Sequence, residues 1–234
     1  MPLSATQKNL ADIAEARGYL PTYRSIVRDM CASFWWHGHD EQGEYRILQN
    51  GTVCFVDTGV ELIAVTAAHV LNGYIADKLA NPDIVCQLGN ITYDPENHLI
   101  DVDTNLDLAT FKVSSVVVAG AGCSPSKPSS WPPVSVTVGD VLLCAGYPGA
   151  IRKEHESIAE LPFQWILASA IASNENIALC LELDGCYVPL TKALLSNQEL
   201  GGMSGGRCSN IFNPHQLSAS SWWGSSMSSS RLTD

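Results

Sequence analysis

Residues 45–70 read YRILQNGTVCFVDTGVELIAVTAAHV. Three short runs rich in Val, Ile, Leu, Phe and Cys follow one another here, namely YRILQ, TVCFVD and ELIAVTA, and Asn, Gly and Thr separate them. Short apolar runs between turn-forming residues are typical of β-strands. The stretch therefore predicts three strands, the last of which ends at Ala67-Ala68-His69 and leads into a short helical turn.

Further runs of the same kind follow downstream: DIVCQL, DLATFKV, VVVAG, DVLLCAGY, FQWILASAI and IALCLEL. Helical patterns do not alternate with them, which argues against a βαβ fold. Many short strands at regular spacing favour an all-β sandwich or barrel. Before the strands, residues 5–30 carry apolar side chains at near-helical spacing, and we expect Gly18 and Pro21 to break this helical region in two.

Composition restricts the partners of the protein. The 234 residues carry a formal net charge of −11, which argues against nucleic acid because phosphate binding needs clustered Lys and Arg. No window approaches the roughly 18 apolar residues of a membrane span, and the first residues lack the pattern of a secretory signal. We therefore expect a cytoplasmic protein that binds no membrane.

The eight cysteines are interpreted as reduced thiols. Four of them lie within apolar, strand-like runs, where a thiol behaves as a small hydrophobic side chain: Cys54, Cys86, Cys144 and Cys180. No CxxC pair occurs, so zinc has little support. His37 and His39 with Asp40 are more typical of a polar turn than of a metal site. We expect neither a metal nor another cofactor.

The hexapeptide Gly-Gly-Met-Ser-Gly-Gly at 201–206 is the only glycine-dense run around a serine. Glycine reaches positive φ without penalty and allows close approach of another chain. A serine in such a turn can present its Oγ and nearby backbone N–H groups to a carbonyl, as a nucleophile beside an oxyanion hole must. Ser204 is thus a candidate nucleophile.

Two further residues complete a candidate catalytic set. His69 follows the end of an apolar run, and a histidine there can act as a general base. Asp107 enters the run DLATFKV, where a partly buried carboxylate needs a partner such as imidazole Nδ1–H. Each residue alone is more often structural, a capping histidine or a turn aspartate. Together the order His69, Asp107, Ser204 is one of the known chain orders of a Ser-His-Asp triad.

The segments TAAHV, DLA and GMSGG resemble the three signature segments of trypsin-like, chymotrypsin-fold serine peptidases, especially the bacterial cytosolic ones. GTVCFVD is similar to a first-barrel strand of that family, and GDVLLCAGYPG to its second-barrel Gly-Tyr-Pro strand. The resemblance covers about residues 45–206. It implies a fold of two six-stranded β-barrels and a peptide or protein substrate.

The resemblance also implies roles for individual residues. Ser204 would be the nucleophile and His69 the general base and then the general acid, while Asp107 would hold the imidazole in its productive tautomer. The backbone N–H groups of Gly202 and Ser204 would form the oxyanion hole. The reaction would be peptide or ester hydrolysis through an acyl-enzyme, without a metal.

The sequence departs from the family in two places. Met203 stands where many secreted relatives have an aspartate that pairs with a newly cut N-terminus, so we expect no activation by that route. After Gly206 the family has apolar strands that wall the specificity pocket, whereas this chain continues with a serine-rich segment. We therefore expect an incomplete second barrel, and the sequence leaves open whether activity survives.

These features divide the chain into five regions. They are an N-terminal helical extension (1–44), a first barrel lobe (45–120), a Gly/Pro/Ser-rich connection (121–140), a second and incomplete barrel lobe (141–206) and a serine-rich tail (207–234) expected to be coil or disordered. Two alternatives to an active peptidase stay open: a non-catalytic, protease-like module that binds peptides or proteins, and a β-rich domain in which the triad is a coincidence.

The abrupt change of composition after Gly206 suggests a frameshifted or truncated reading. This hypothesis predicts that another reading frame of the gene downstream of codon 206 encodes apolar, strand-patterned sequence. Nucleotide sequencing across that codon tests it, and two frames without such a pattern would refute it.

Overall fold

The computed structural model describes residues 12–13, 15–40, 42–127, 140–155, 158–173, 179–187, 203, 207–210 and 221–222. In this part of the chain β-strands predominate, with helices at the N-terminus and over one sheet. The sequence-based expectation of a mostly β protein with an N-terminal helix is confirmed at this level.

Besides the helical residues 12–13 and 15–16, three α-helices and two short 3-10 helices are described. They are α1 (Tyr19–Asp29), α2 (Ala68–Ala80), α3 (Ser115–Gly120) and the 3-10 helices Glu96–His98 and Gly149–Ile151. The strands are β1 (Cys31–His39), β2 (Tyr45–Asp57), β3 (Leu62–Thr66), β4 (Val85–Leu88), β5 (Ile91–Thr92), β6 (Leu99–Asp103), β7 (Leu108–Lys112), β8 (Val141–Gly146), β9 (Lys153–His155), β10 (Ile158–Glu160), β11 (Gln164–Ser173), β12 (Leu179–Tyr187), β13 (Arg207–Asn210) and β14 (Ser221–Trp222).

The strands form two main antiparallel sheets. The first has seven strands in the order β5-β4-β1-β2-β3-β7-β6, and the second has five in the order β12-β11-β8-β13-β14. Strands β9 and β10 pair with each other. In the described part of the chain neither sheet closes on itself, so no closed barrel is found there.

The larger core lies between the first sheet and helix α2. The sheet contributes Phe34, Phe55 and Phe111, all fully buried, and α2 contributes Leu71 and Tyr74. Apolar side chains of this size, removed from water, typically contribute about 1.5–3 kcal/mol each. This packing fixes α2, the helix that carries His69, against the sheet.

A second core joins helix α1 to both sheets. It contains Leu20 and Val27 of α1 together with Leu143 of β8 and Trp165 of β11. Cys54 of β2 belongs to this core, whereas its neighbours Val53 and Phe55 belong to the first. Successive side chains of a strand point to opposite faces, so β2 contributes to both cores.

The cysteines that the sequence predicts to be buried are buried where their side chains are described. Cys54, Cys86 and Cys144 lie on β2, β4 and β8, are buried, and form no disulfide. Cys180 lies on β12, but its side chain is outside the described residues.

The helical run near the N-terminus breaks at only one of the two expected positions. Gly18 has φ +73°, which only glycine adopts readily, and it precedes α1. Pro21 lies in the first turn of α1. A proline is tolerated there because the N–H that it lacks would have no partner within the helix.

Four segments differ from the sequence-based expectation. The runs YRILQ and TVCFVD, predicted as two strands, form the single strand β2. The region 1–44 includes strand β1, which is central in the first sheet. The run VVVAG forms part of helix α3 and not a strand; the Ser114 Oγ accepts from the Val117 N–H at 3.3 Å and caps this helix. The turn after His69 is the 13-residue helix α2. In VVVAG the helix cap outweighs the intrinsic β-propensity of the valines.

The chain after Gly206 also differs from the expected unstructured tail. Strand β13 pairs with β8, with Arg207 opposite Ala145 and Asn210 opposite Leu142, and β14 pairs with β13. Strand β8 is buried along its whole length, so its backbone N–H and C=O groups need partners on both sides. Backbone pairing thus accounts for a strand whose side chains do not predict one.

Gly51 of β2 provides a test of the packing behind His69. A Cβ added at Gly51 would lie 2.6 Å from Val70 Cγ1 of α2, whereas one added at Gly73 would lie 3.7 Å from the nearest atom of Trp36. Gly51→Ala should therefore lower the free energy of unfolding by about 1–3 kcal/mol through overpacking. Gly73→Ala, the control, should raise it by about 0.5–1 kcal/mol through helix propensity.

Urea unfolding followed by circular dichroism measures both changes. Equal stability of Gly51→Ala and the wild type would show that α2 does not approach β2 this closely.

Candidate functional site

His69 lies at the start of α2, directly after buried backbone. Strand β3 ends at Thr66, and Thr66, Ala67 and Ala68 are almost fully buried. The Thr66 hydroxyl donates to the Thr52 carbonyl oxygen at 2.7 Å, which fastens the end of β3 to β2. His69 therefore projects from a rigid support, as predicted for a histidine just past a strand end.

Asp107 lies in the turn that leads into β7. Its φ is +51°, the only positive value among described residues other than glycine. Aspartate and asparagine are enriched in this left-handed region, although it still costs on the order of 1–3 kcal/mol. Strand β7 pairs with β3, and Ala109 lies opposite Thr66, so the pairing brings Asp107 next to His69.

The Asp107 carboxylate holds His69 at two atoms. Its Oδ2 lies 2.7 Å from the imidazole Nδ1, and its Oδ1 accepts from the His69 backbone N–H at 2.9 Å. The side chain of Asp107 is 17% exposed and that of His69 is 46% exposed. The carboxylate is thus shielded, while the imidazole reaches the surface.

The second of these hydrogen bonds also caps helix α2. The residue at the N-cap position, Ala67, has no side chain that could accept from the first turn. An α-helix leaves its first N–H groups without intrahelical acceptors, and a negative charge near them is stabilising. Asp107 supplies both the acceptor and the charge from a different strand.

The contact determines what the imidazole can do. When a carboxylate accepts from Nδ1–H, the proton of a neutral imidazole is on Nδ1 and Nε2 is left as the basic nitrogen. A base oriented by a third group is the arrangement that activates a hydroxyl or thiol nucleophile. The predicted pairing of His69 with Asp107 is therefore present in the structure.

Of the glycine-dense run, only Met203 is described. Gly202 and Ser204, the predicted oxyanion donor and nucleophile, lie outside the described residues. Met203 is 1% exposed, and a Cβ added at Gly146 would lie 3.0 Å from its Cα. The residue before Ser204 thus packs against the end of β8, in the second sheet.

Four residues that the sequence-based analysis did not single out join the two sheets near this point. The Asn50 side-chain amide donates to the Tyr147 carbonyl oxygen at 2.8 Å, and the Thr52 Oγ1 accepts from the Tyr147 N–H at 2.9 Å. The Arg152 Nη1 lies 3.4 Å from Asn50 Oδ1. Asn50 and Thr52 lie in the segment QNGT and Tyr147 lies in GYPG, whereas no sequence motif includes Arg152.

A cavity of about 580 Å³ lies beside His69. Residues of both lobes line it, including Asn50 and Val70 from the first and Ala150 and Arg152 from the second. A second cavity of about 800 Å³ also has Gln49, Asp77 and Arg152 in its lining. A cavity of several hundred Å³ next to an exposed imidazole can hold a short stretch of an extended polypeptide.

The linings of the two cavities carry both signs of charge. Arg152 Nε lies 2.8 Å from Glu154 Oε1, and Arg46 Nη2 lies 2.7 Å from Asp40 Oδ2. A third carboxylate, Asp77, lines both cavities and accepts from the Trp36 indole N–H at 2.8 Å. The two linings together therefore contain two arginines and three carboxylates.

His37 and His39 both lie on β1, and His39 is in the lining of the larger cavity. His37 contacts Tyr45 and Gln87, and burial lowers the pKa of His37 below its usual value. Within the part of the chain that is described, no group of three or more His, Cys, Asp or Glu side chains is arranged to hold a metal ion. None of the described helices combines the length and the apolar character that crossing a bilayer requires.

No protein-family model matches this sequence, and no curated protein matches it either. The interpretation of the site therefore depends on its own geometry and chemistry.

Asp107 variants test the two contacts with His69. Asp107→Ala should lower the free energy of unfolding by about 1 kcal/mol, the usual cost of losing a helix cap. Asp107→Asn should cost less, because asparagine tolerates the left-handed backbone and its oxygen can still accept from the His69 N–H. Urea unfolding measures both.

The same variants have a spectroscopic readout. In the wild type, ¹⁵N NMR should show the His69 proton on Nδ1, and Asp107→Asn should change that tautomer because an amide can donate where the carboxylate accepts. Asp101→Asn is the control, since the Asp101 carboxylate accepts from the Val102 N–H. An unchanged His69 spectrum in Asp107→Asn would contradict the contact.

Proposed function

We propose that this protein is a serine endopeptidase of the trypsin-like, chymotrypsin-fold class. The observation that carries the proposal is the two-point contact between Asp107 and His69, at 2.7 Å and 2.9 Å. An oriented imidazole with a basic Nε2 is what a serine nucleophile requires, and the chain order His69, Asp107, Ser204 fits such a triad.

The proposed reaction has two halves. Ser204 Oγ attacks the carbonyl carbon of a peptide bond while His69 Nε2 takes its proton, and the imidazolium then gives that proton to the leaving amine. Water, activated by the same nitrogen, hydrolyses the acyl-enzyme. Asp107 stays ionised throughout, because it stabilises the imidazolium and keeps Nδ1 protonated.

The transition state also needs stabilisation of its negative charge. Negative charge develops on the substrate oxygen, and the backbone N–H groups of Gly202 and Ser204 are proposed as its donors. Loss of one such donor typically costs about 10²–10³ in rate. The burial of Met203 against Gly146 supports this role, because a loop anchored by a buried residue can hold its N–H groups in place.

The two sheets support the proposal of a chymotrypsin-type fold with two barrels. Each is antiparallel, and they carry different parts of the proposed site: His69 and Asp107 lie with the first sheet, and Met203 packs against the second. We propose that they represent the two barrels of the family. The cavity beside His69 has lining residues from both lobes, which fits a substrate that lies between them.

An activity probe tests the proposal. A fluorophosphonate should label the folded protein by forming a phosphorus–oxygen bond at Ser204 with loss of fluoride, because only an activated hydroxyl reacts rapidly. Labelling should be lost in Ser204→Ala and fall by several orders of magnitude in His69→Ala. Labelled protein is detected on gels, and mass spectrometry of peptides identifies the modified residue.

The matched control is Ser115→Ala, which removes an exposed serine from α3 and should leave the labelling unchanged. Folded wild-type protein that takes up no probe would overturn the peptidase proposal and favour a non-catalytic, peptide-binding module. Labelling at a serine other than Ser204 would refute the proposed nucleophile.

A further inference from the structure

We propose that Thr52 is a positioning residue that sets the geometry between the general base and the nucleophile; this inference rests on the proposed peptidase function. Thr52 lies on β2 and is fully buried. The cavity beside His69 is lined by other residues, so the effect of Thr52 would pass through the residues that it holds.

The first connection leads from Thr52 to the base. The Thr52 carbonyl oxygen accepts from the Thr66 hydroxyl at 2.7 Å, and both residues are fully buried. Thr66 is the last residue of β3 and precedes His69 by three residues. The bond adds a side-chain tie to the β2–β3 pairing at the place where the strand gives way to α2.

The second connection leads from Thr52 to the second sheet. The Thr52 hydroxyl accepts from the Tyr147 N–H at 2.9 Å, while the Tyr147 carbonyl oxygen accepts from Asn50 at 2.8 Å. The backbone N–H and C=O of Tyr147 are thus both hydrogen-bonded to β2. Two bonds to the same strand fix the orientation of Tyr147 as well as its distance.

The Tyr147 side chain limits movement of this junction further. Its ring packs edge-to-face on Phe163, with centroids 5.4 Å apart, and its hydroxyl donates to the Cys31 carbonyl oxygen at 3.5 Å. Burial raises the pKa of Tyr147 well above its ordinary value, so the hydroxyl remains a donor across the working pH range.

The third connection leads towards the nucleophile. A Cβ on Gly146 would lie 2.6 Å from Thr52 Oγ1 and 3.0 Å from Met203 Cα. Gly146 is therefore packed between the Thr52 side chain and the Met203 backbone, and only a residue without a side chain fits. Ser204 is joined to Met203 by one peptide bond, and its own position lies outside the described residues.

These contacts form a continuous path from the end of β3, through Thr52 and Gly146, to Met203. Buried, fully bonded polar groups favour a single arrangement. Displacement of catalytic groups by about 1 Å can cost about 10²-fold in rate. Thr52 joins the end of β3, which precedes His69, to Met203, which precedes Ser204. Its substitution should therefore affect the rate of the chemical step more than the binding of a small probe.

Fluorophosphonate labelling kinetics separate these two effects. In Thr52→Val, which keeps the shape of the side chain but loses the hydroxyl, the limiting labelling rate should fall by about 10–100-fold with an unchanged half-saturating probe concentration. Thr52→Ser restores the hydroxyl and should recover most of the rate. Hydrogen exchange at the Tyr147 amide should accelerate in Thr52→Val and return to the wild-type value in Thr52→Ser.

Two further variants complete the experiment, and all rates are measured below the unfolding transition of each. Thr66→Val breaks the path at its other end and should also slow labelling, so the test remains valid if Thr52→Val fails to fold. Thr58→Val is the control: it removes a hydroxyl that bonds Glu61 in the β2–β3 turn, and its labelling rate should equal that of the wild type.

The outcomes distinguish the two proposals. Wild-type labelling together with wild-type rates in Thr52→Val and Thr66→Val would overturn the role of Thr52 and leave the peptidase proposal intact. A slow Thr52→Val that Thr52→Ser does not rescue would also overturn it, because the hydroxyl would then not be responsible. Absence of labelling in the wild type would overturn both proposals.

Discussion

The carboxylate of Asp107 holds together two features that would otherwise be independent. One of its oxygens caps a helix whose own N-cap residue, Ala67, has no side-chain acceptor, and the other oxygen orients the imidazole of His69. The start of α2 and the orientation of the imidazole therefore depend on the same group. The left-handed backbone of Asp107 is the conformational cost of this arrangement, and the helix cap helps to offset it.

Much of the fold could be predicted from hydrophobic patterning, because most of the strands are apolar runs between turn residues. The failures have local causes. VVVAG has strong β-propensity, but the serine at position 114 caps it as a helix. Arg207–Asn210 has weak propensity, yet the edge of β8 recruits it as a strand. Patterning reports which side chains can be buried, and it does not report which backbone edges need partners.

The candidate site, like the fold, could be predicted from the sequence only in part. The pairing of His69 with Asp107 was predictable because each residue follows or enters an apolar run, and the chemistry of imidazole and carboxylate is complementary. Thr52 and Asn50 were not predictable in this way. Threonine and asparagine are common in strands and turns, and what distinguishes these two is a contact with Tyr147, about a hundred positions away in the sequence. Only the folded chain brings such partners together.

Strand β2 contributes side chains to both hydrophobic cores. Its alternate side chains fill one core on each face, so neither lobe has a complete interior without it. The segment 121–140 is predicted to connect two lobes, but a cut there would leave residues 141 onwards without Cys31, Cys54 and helix α1, which complete the second core. The two lobes are therefore not interchangeable modules, and recombination or domain exchange at that connection would yield halves that lack a common structural element.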